Sequence, residues 1–257
     1  MTGIYVPRGR AREYAPLALN LYRGCNHNCT YGYCSAIGRR FGRWPETPMP
    51  AISGSEIDKT CRKYTNSRQS VMLCFTCDPY CEADKTYRLA RIALVHMVQL
   101  YHIPVVILTK SGQRCMIDLD LFRRFGEHIM VGATLTGCDD LEPGAAPNLE
   151  RLGVLRALHE AGVPTWASFE PVIRPEASLK SLREAVKCCN VVKIGKINNW
   201  HSADKFIDWN AFLEDAQDIC EDANVDWYCK TDLWEAAGCP SLPPIVRNAD
   251  VHQPKPW

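Results

Sequence analysis

The chain has 257 residues, 46% hydrophobic and 23% charged, with a formal net charge of +1. That balance excludes a disordered polypeptide, and no segment carries the roughly 18 uninterrupted apolar residues of a membrane span. The opening stretch MTGIYVPRGRAR lacks the apolar run of a secretion signal, so the fourteen cysteines are expected to be cytoplasmic and reduced: buried, metal-binding or redox-active.

In chain order, a basic arm covers residues 1–16, followed by a first apolar strand at Leu17–Tyr22. A long connection runs from Cys25 to Ser70 and holds an Arg-rich segment with Trp44-Pro45; loops of such length commonly carry function. Residues 1–68 contain eleven Lys or Arg against four Asp or Glu. Arg8, Arg10, Arg12, Arg23, Arg39, Arg40 and Arg43 thus form either a field that meets phosphates or a solvated loop. Further strands are expected at Val71–Thr76, Val105–Thr109, Met130–Leu135, Thr165–Phe169 and Val191–Ile197, with a weaker one at Asp226–Lys230. Between them lie helical stripes: Leu89, Ile92, Ala93, Met97 and Leu100; Leu149, Leu152, Leu155 and Leu158; and Trp209, Phe212, Leu213, Ala216 and Ile219. Strands alternating with helices imply parallel pairing through right-handed crossovers. The expected fold is α/β, a single-domain partial (βα)6 TIM-like barrel over residues 1–238, with a proline-rich C-terminal extension at 239–257.

The strongest local signal is RGCNHNCTYGYC, Arg23–Cys34, directly after the first strand. Cys25, Cys29 and Cys34 stand as Cys-x3-Cys-x4-Cys at the carboxyl end of a barrel strand, where barrel enzymes place their chemistry. Three thiolates hold three irons of a cubane cluster and leave the fourth open to a small molecule. A zinc site completed by His27 or a distant cysteine is the alternative. Cys74, Cys77 and Cys81, spaced Cys-x2-Cys-x3-Cys at the second strand, form a rival trio, although Cys74 lies in the apolar run VMLCF.

The three-cysteine loop, with an aromatic residue before its third cysteine, resembles the radical S-adenosylmethionine superfamily, and within it the spore photoproduct lyase-like branch. Over residues 17–232 the matching segments are NLYRGC, FTCDPY, LTKSG, VGATLT, SFEPVI and KIGKIN, all at ends of expected strands. The family spacing Cys-x3-Cys-x2-Cys would put the third ligand at Gly32; Cys34 is taken as that ligand instead.

The resemblance implies a [4Fe-4S] cluster, S-adenosyl-L-methionine, and a reductase or an electron donor of the flavodoxin or ferredoxin type. It also implies a radical enzyme that abstracts hydrogen from its substrate. Lys110, with Ser111 beside it, is expected to meet the cofactor carboxylate, and Thr76 and Asp78 its amine. Thr134 and Thr136, on one face of an alternating strand, suit the ribose hydroxyls or serve only as strand formers. Glu170 would bind ribose or pair with Lys193 or Lys196, and Lys196 and Asn198 would lie beside adenine or substrate. Cys77 and Cys81, like Cys74, are candidate hydrogen-atom donors and Tyr80 a relay, with Phe75, Trp166 and Trp200 shielding the mouth. Phe75 stands where the lyase has its donor cysteine, so the lyase reaction itself is not carried over. The Arg-rich segment and the repair-like branch point to a nucleic acid or nucleotide-like substrate. The competing reading is a non-catalytic zinc- or cluster-stabilised nucleic-acid-binding protein, or a fully ligated electron-transfer or sensor protein.

Overall fold

The computed structural model describes residues 3–32, 45, 47–198, 205–238 and 253–257. Its strands are β1 (Leu17–Leu19), β2 (Tyr22–Arg23), β3 (Met49–Pro50), β4 (Val71–Leu73), β5 (Val105–Thr109), β6 (Ile129–Thr134), β7 (Thr165–Val172), β8 (Val191–Lys196) and β9 (Asp226–Cys229). β2 and β3 form a small antiparallel ribbon, and the other seven make one parallel sheet in the order β1-β4-β5-β6-β7-β8-β9. Each strand of that sheet lies beside the next in the chain, as repeated right-handed crossovers require. All seven expected strands are present, as are helices at Leu89–Leu94, Asn148–Glu160 and Trp209–Asp222.

The differences lie at element ends and in the first connection. β1 and β4 stop three residues earlier than their apolar runs, because the chain turns at Cys74 (φ 68°), whose N–H donates to Leu19 O at 3.0 Å. The helical stripe from Leu89 changes to a π-helical segment at Val95–Leu100. The long connection holds β3 and a helix at Gly54–Arg62, opened by a capping box in which Ser53 and Glu56 satisfy each other's backbone N–H.

Strand alternation sorts the sheet into two faces. Leu17, Leu19, Val71, Leu73, Val105 and Ile107 join the helices in the outer core, whereas Ala18, Met72, Val106, Met130, Trp166 and Val191 pack inside the curl. Trp166 crosses this interior to donate its Nε1–H to Ile107 O at 2.9 Å. Only a glycine at position 132 leaves it room, since a Cβ there would sit 2.3 Å from the indole nitrogen.

The amino-terminal arm closes the side of the partial barrel. Tyr5 pairs with Ala18 of β1, while Glu13 accepts from Tyr228 of β9 at 2.8 Å and from Thr231 N at 2.9 Å. Arg10, among the cations read as meeting phosphates or lying in a solvated loop, pairs with Asp232 at 3.1 Å, and Arg39, Arg40 and Arg43 lie outside the described residues. Between these contacts Tyr14 enters the interior, 5.9 Å from both the Phe75 and Trp166 rings. On the amino-terminal face, Gln253 binds Ser70 and the Tyr14 carbonyl, and Trp257 stacks 3.7 Å from His128. No helix among the described residues is long and apolar enough to cross a membrane.

Candidate cofactor site

The carboxyl ends of the strands gather most of the expected residues. After β2 the chain enters the cysteine loop, and the loop after β6 clamps it. Thr30 N–H donates to Leu141 O at 2.9 Å, Gly144 N–H donates to His27 O at 2.9 Å, and Ala146 N–H donates to Lys110 O at 2.9 Å. Gly144 allows this approach, because a Cβ there would meet Asn26 O at 2.2 Å. Cys25 and Cys29 are partly exposed, and the ten other described cysteines are buried. Cys34, the expected third ligand, and Trp200 lie outside the described residues.

Lys110, at the end of β5, reaches this loop. Its ammonium lies 3.6 Å from Cys29 Sγ and 4.8 Å from the centre of the Tyr31 ring, and it donates to Tyr31 Oη and, at 2.8 Å, to Glu142 Oε1. Glu142 is wholly buried and also accepts from Tyr31 and Arg151. Burial pushes its carboxyl up, but Lys110 and Arg151 outweigh that and hold its pKa at about 2. Arg151 is equally buried and donates to Thr134 O at 2.6 Å. Burial raises the Cys29 thiol, with Lys110 opposing it. His27 is buried with Nε2 unpartnered, 3.9 Å from Asp78; burial lowers its pKa, but Cys25 and Asp78 raise it above the ordinary value.

Glu142 and Arg151 are absent from the sequence-based expectations. The available signal is an acid before Pro143-Gly144 in the loop after a barrel strand, where barrel chemistry sits. Asn20 is a third addition: its Oδ1 accepts from Phe75 N at 2.8 Å and Thr76 N at 3.3 Å, tying the end of β1 to the turn after β4.

Several expected residues are placed differently. Asp78 does not present open acceptors; its carboxylate is buried and receives Thr109 Oγ1 at 2.8 Å, Lys110 N at 2.6 Å and Tyr80 N at 2.8 Å. It builds the turn that aims Lys110. Tyr80 points its hydroxyl into the helical layer, at Asp118 Oδ2, 3.2 Å away, and not toward the mouth. Thr136 lies beyond the end of β6, so alternation does not pair it with Thr134; it is fully buried and accepts from Cys138 N at 3.2 Å. Lys196 points outward, its ammonium 5.5 Å from the Trp209 ring centre. Glu170 meets neither Lys193 nor Lys196 but receives Lys230 Nζ at 2.6 Å and the Tyr14 hydroxyl.

Thr76 is partly buried and donates to Tyr22 O at 3.4 Å. Ser111 is buried, donates its N–H to Thr109 Oγ1 at 2.9 Å, and accepts from Arg114. Burial drives the Cys77 thiol far above its ordinary range, with Cys74 and Cys81 adding to it. Burial also pushes Cys81 to about 12. No three His, Cys, Asp or Glu side chains among the described residues are grouped to hold a metal.

Comparison with known proteins agrees with this architecture. No protein-family profile matches the chain. An uncharacterized protein of Methanocaldococcus jannaschii is 26% identical over 166 residues, covering 62% of this chain and 61% of that protein. The chain thus spans about three fifths of the length of the curated relatives it matches. Spore photoproduct lyase, solved with bound AdoMet and dinucleoside spore photoproduct, superposes with a TM-score of 0.67 at 15% identity, covering 85% of this chain and 77% of that one. Streptococcus suis SuiB bound to S-adenosylmethionine superposes with a TM-score of 0.64 at 12% identity, covering 88% of this chain and 52% of that one. Both are radical S-adenosylmethionine enzymes, and the chain has their partial-barrel fold.

Proposed function

We propose that the protein is a radical S-adenosylmethionine enzyme in which Cys25, Cys29 and Cys34 hold a [4Fe-4S] cluster and the cofactor occupies the barrel mouth. One observation carries this reading: two partly exposed cysteines on a clamped loop at the carboxyl ends of the strands, with the Lys110 ammonium 3.6 Å from one of them. Their exposure suits a cluster open to a small molecule, and the fold of both solved neighbours supports it. With a flavodoxin- or ferredoxin-type donor, the cluster held by these cysteines and the bound cofactor would supply the radical chemistry of hydrogen abstraction.

The chain's own residues bind, aim and insulate. Lys110 receives the cofactor carboxylate, and Asp78 fixes the backbone that carries Lys110. Asn20 holds the turn bearing Phe75 and Thr76, while the Tyr14, Phe75 and Trp166 rings pack together inside the curl and help to exclude water. For substrate, the reading favours a nucleobase or nucleic acid. Arg-rich residues near the amino terminus support it, as does the dinucleoside bound by the lyase; SuiB, in contrast, is solved with precursor peptide SuiA.

Anaerobic reconstitution tests the reading. The expected result is a cubane-cluster spectrum and reductant-dependent 5′-deoxyadenosine. Full iron loading with no cofactor cleavage would sink it. Nucleic-acid binding should weaken steeply with added salt, whereas salt-insensitive binding of a peptide would favour the other substrate class.

A further inference from the structure

Three charged side chains, Lys110, Glu142 and Arg151, touch one another at the mouth, and their balance decides how far the Lys110 ammonium is available. Glu142 lies between Lys110, 2.8 Å away, and Arg151, with no side-chain surface left to solvent. Arg151 comes from the helix Asn148–Glu160, is itself fully buried, and is oriented by the Thr134 carbonyl at 2.6 Å. Its other acidic neighbour, Asp139 at 3.5 Å, is half-exposed and screened by water. Within this trio, the part-buried Lys110 and the buried Arg151 against one buried anion leave one positive charge; the buried Asp78 carboxylate nearby is held by the Thr109 hydroxyl and by backbone N–H groups. Without Arg151, Glu142 would cancel Lys110, and the ammonium would be less available to an anion. Burying a guanidinium is costly. If Glu142 only had to hold Lys110, that cost would serve nothing.

We propose that Arg151 is a positioning residue for carboxylate recognition: it neutralises Glu142, so Lys110 stays both held and electrically available to the carboxylate of S-adenosylmethionine. This rests on the reading of S-adenosylmethionine as the ligand. Arg151 touches no ligand and acts through Glu142.

Equilibrium binding to the anaerobically cluster-loaded protein tests it, with S-adenosylmethionine and its decarboxylated analogue as probes. The readout is the ratio of the two affinities. Loss of iron chelation by the analogue is common to all variants, so changes in the ratio report the protein cation. Arg151→Met should lower the preference for the carboxylate about tenfold. Adding Glu142→Gln to Arg151→Met restores the net charge and should return the preference to within about threefold of wild type. An unchanged ratio in Arg151→Met, or no recovery in the double variant, overturns the proposal. Should Arg151→Met fail to fold, Glu142→Gln alone decides: retained or increased preference supports the proposal, and lost preference overturns it. Wild-type protein that binds neither probe overturns the S-adenosylmethionine reading and this inference with it.

Discussion

The loop after β2 and the turn after β4 both carry cysteines at ligand-like spacing, and the structure gives them opposite surroundings. Cys25 and Cys29 are partly exposed, on a loop held by backbone hydrogen bonds, with a lysine at hand. Cys74, Cys77 and Cys81 are buried in the outer core, where desolvation keeps the Cys77 and Cys81 thiols protonated at neutral pH. Spacing selects which thiols are close in sequence; exposure and a nearby cation set the loop pair apart, since burial raises the Cys29 thiol as well but Lys110 opposes it. The same contrast separates Lys110, aimed at the mouth, from Lys196, which leans on Trp209.

The largest expected effect breaks the comparison directly. Cys25→Ala or Cys29→Ala should lose nearly all cluster iron and sulfide after reconstitution. Cys74→Ala, Cys77→Ala and Cys81→Ala should each retain it, at a stability cost of about 1 kcal/mol. Equal iron loss in both groups would erase the distinction. Thiol accessibility gives an independent check: in the folded apoprotein Cys25 and Cys29 should alkylate, and the β4-turn cysteines only on unfolding.

Next, Lys110→Ala should leave iron content intact and weaken S-adenosylmethionine binding about tenfold or more. Unchanged affinity would remove Lys110 from the site. A comparable effect, on stability alone, is expected at Gly132. Gly132→Ala forces its Cβ against Trp166 and should cost about 2 kcal/mol in chemical denaturation, with the iron sites unaltered.

The subtlest test is pH. Glu142 titrates near 2 in the folded protein against an ordinary 4.5, so its ionised form stabilises the fold fully above pH 4.5. That contribution, about 3 kcal/mol, is lost as pH falls toward 2. The stability gap between wild type and Glu142→Gln should therefore narrow across that window. A gap that is constant with pH would mean that Glu142 is not held ionised by Lys110 and Arg151.

The strands were legible because period-two burial and β-branched runs are local signals, and Lys110 was legible because it directly follows such a run. Glu142, Arg151 and Asn20 were not, since their roles depend on partners brought together by the crossovers, such as Tyr31 and Glu142, 111 residues apart. Thr136 shows the limit of alternation, which ends with the strand. Asp78 shows the limit of residue type: an acid at a strand end reads as a ligand group until its acceptors are counted. Tyr80 belonged to the helical layer because a two-residue turn from Asp78 carries it there.

The arm that joins Ala18 at one edge of the barrel to Thr231 at the other has a temporal consequence. During synthesis from the amino terminus, residues 5–14 leave the ribosome well before the edge they seal, at residues 226–232. Until then Tyr14 has no closed wall to fill, and the nascent sheet carries an open side. The side closes only once Tyr228, Thr231 and Asp232 engage the arm.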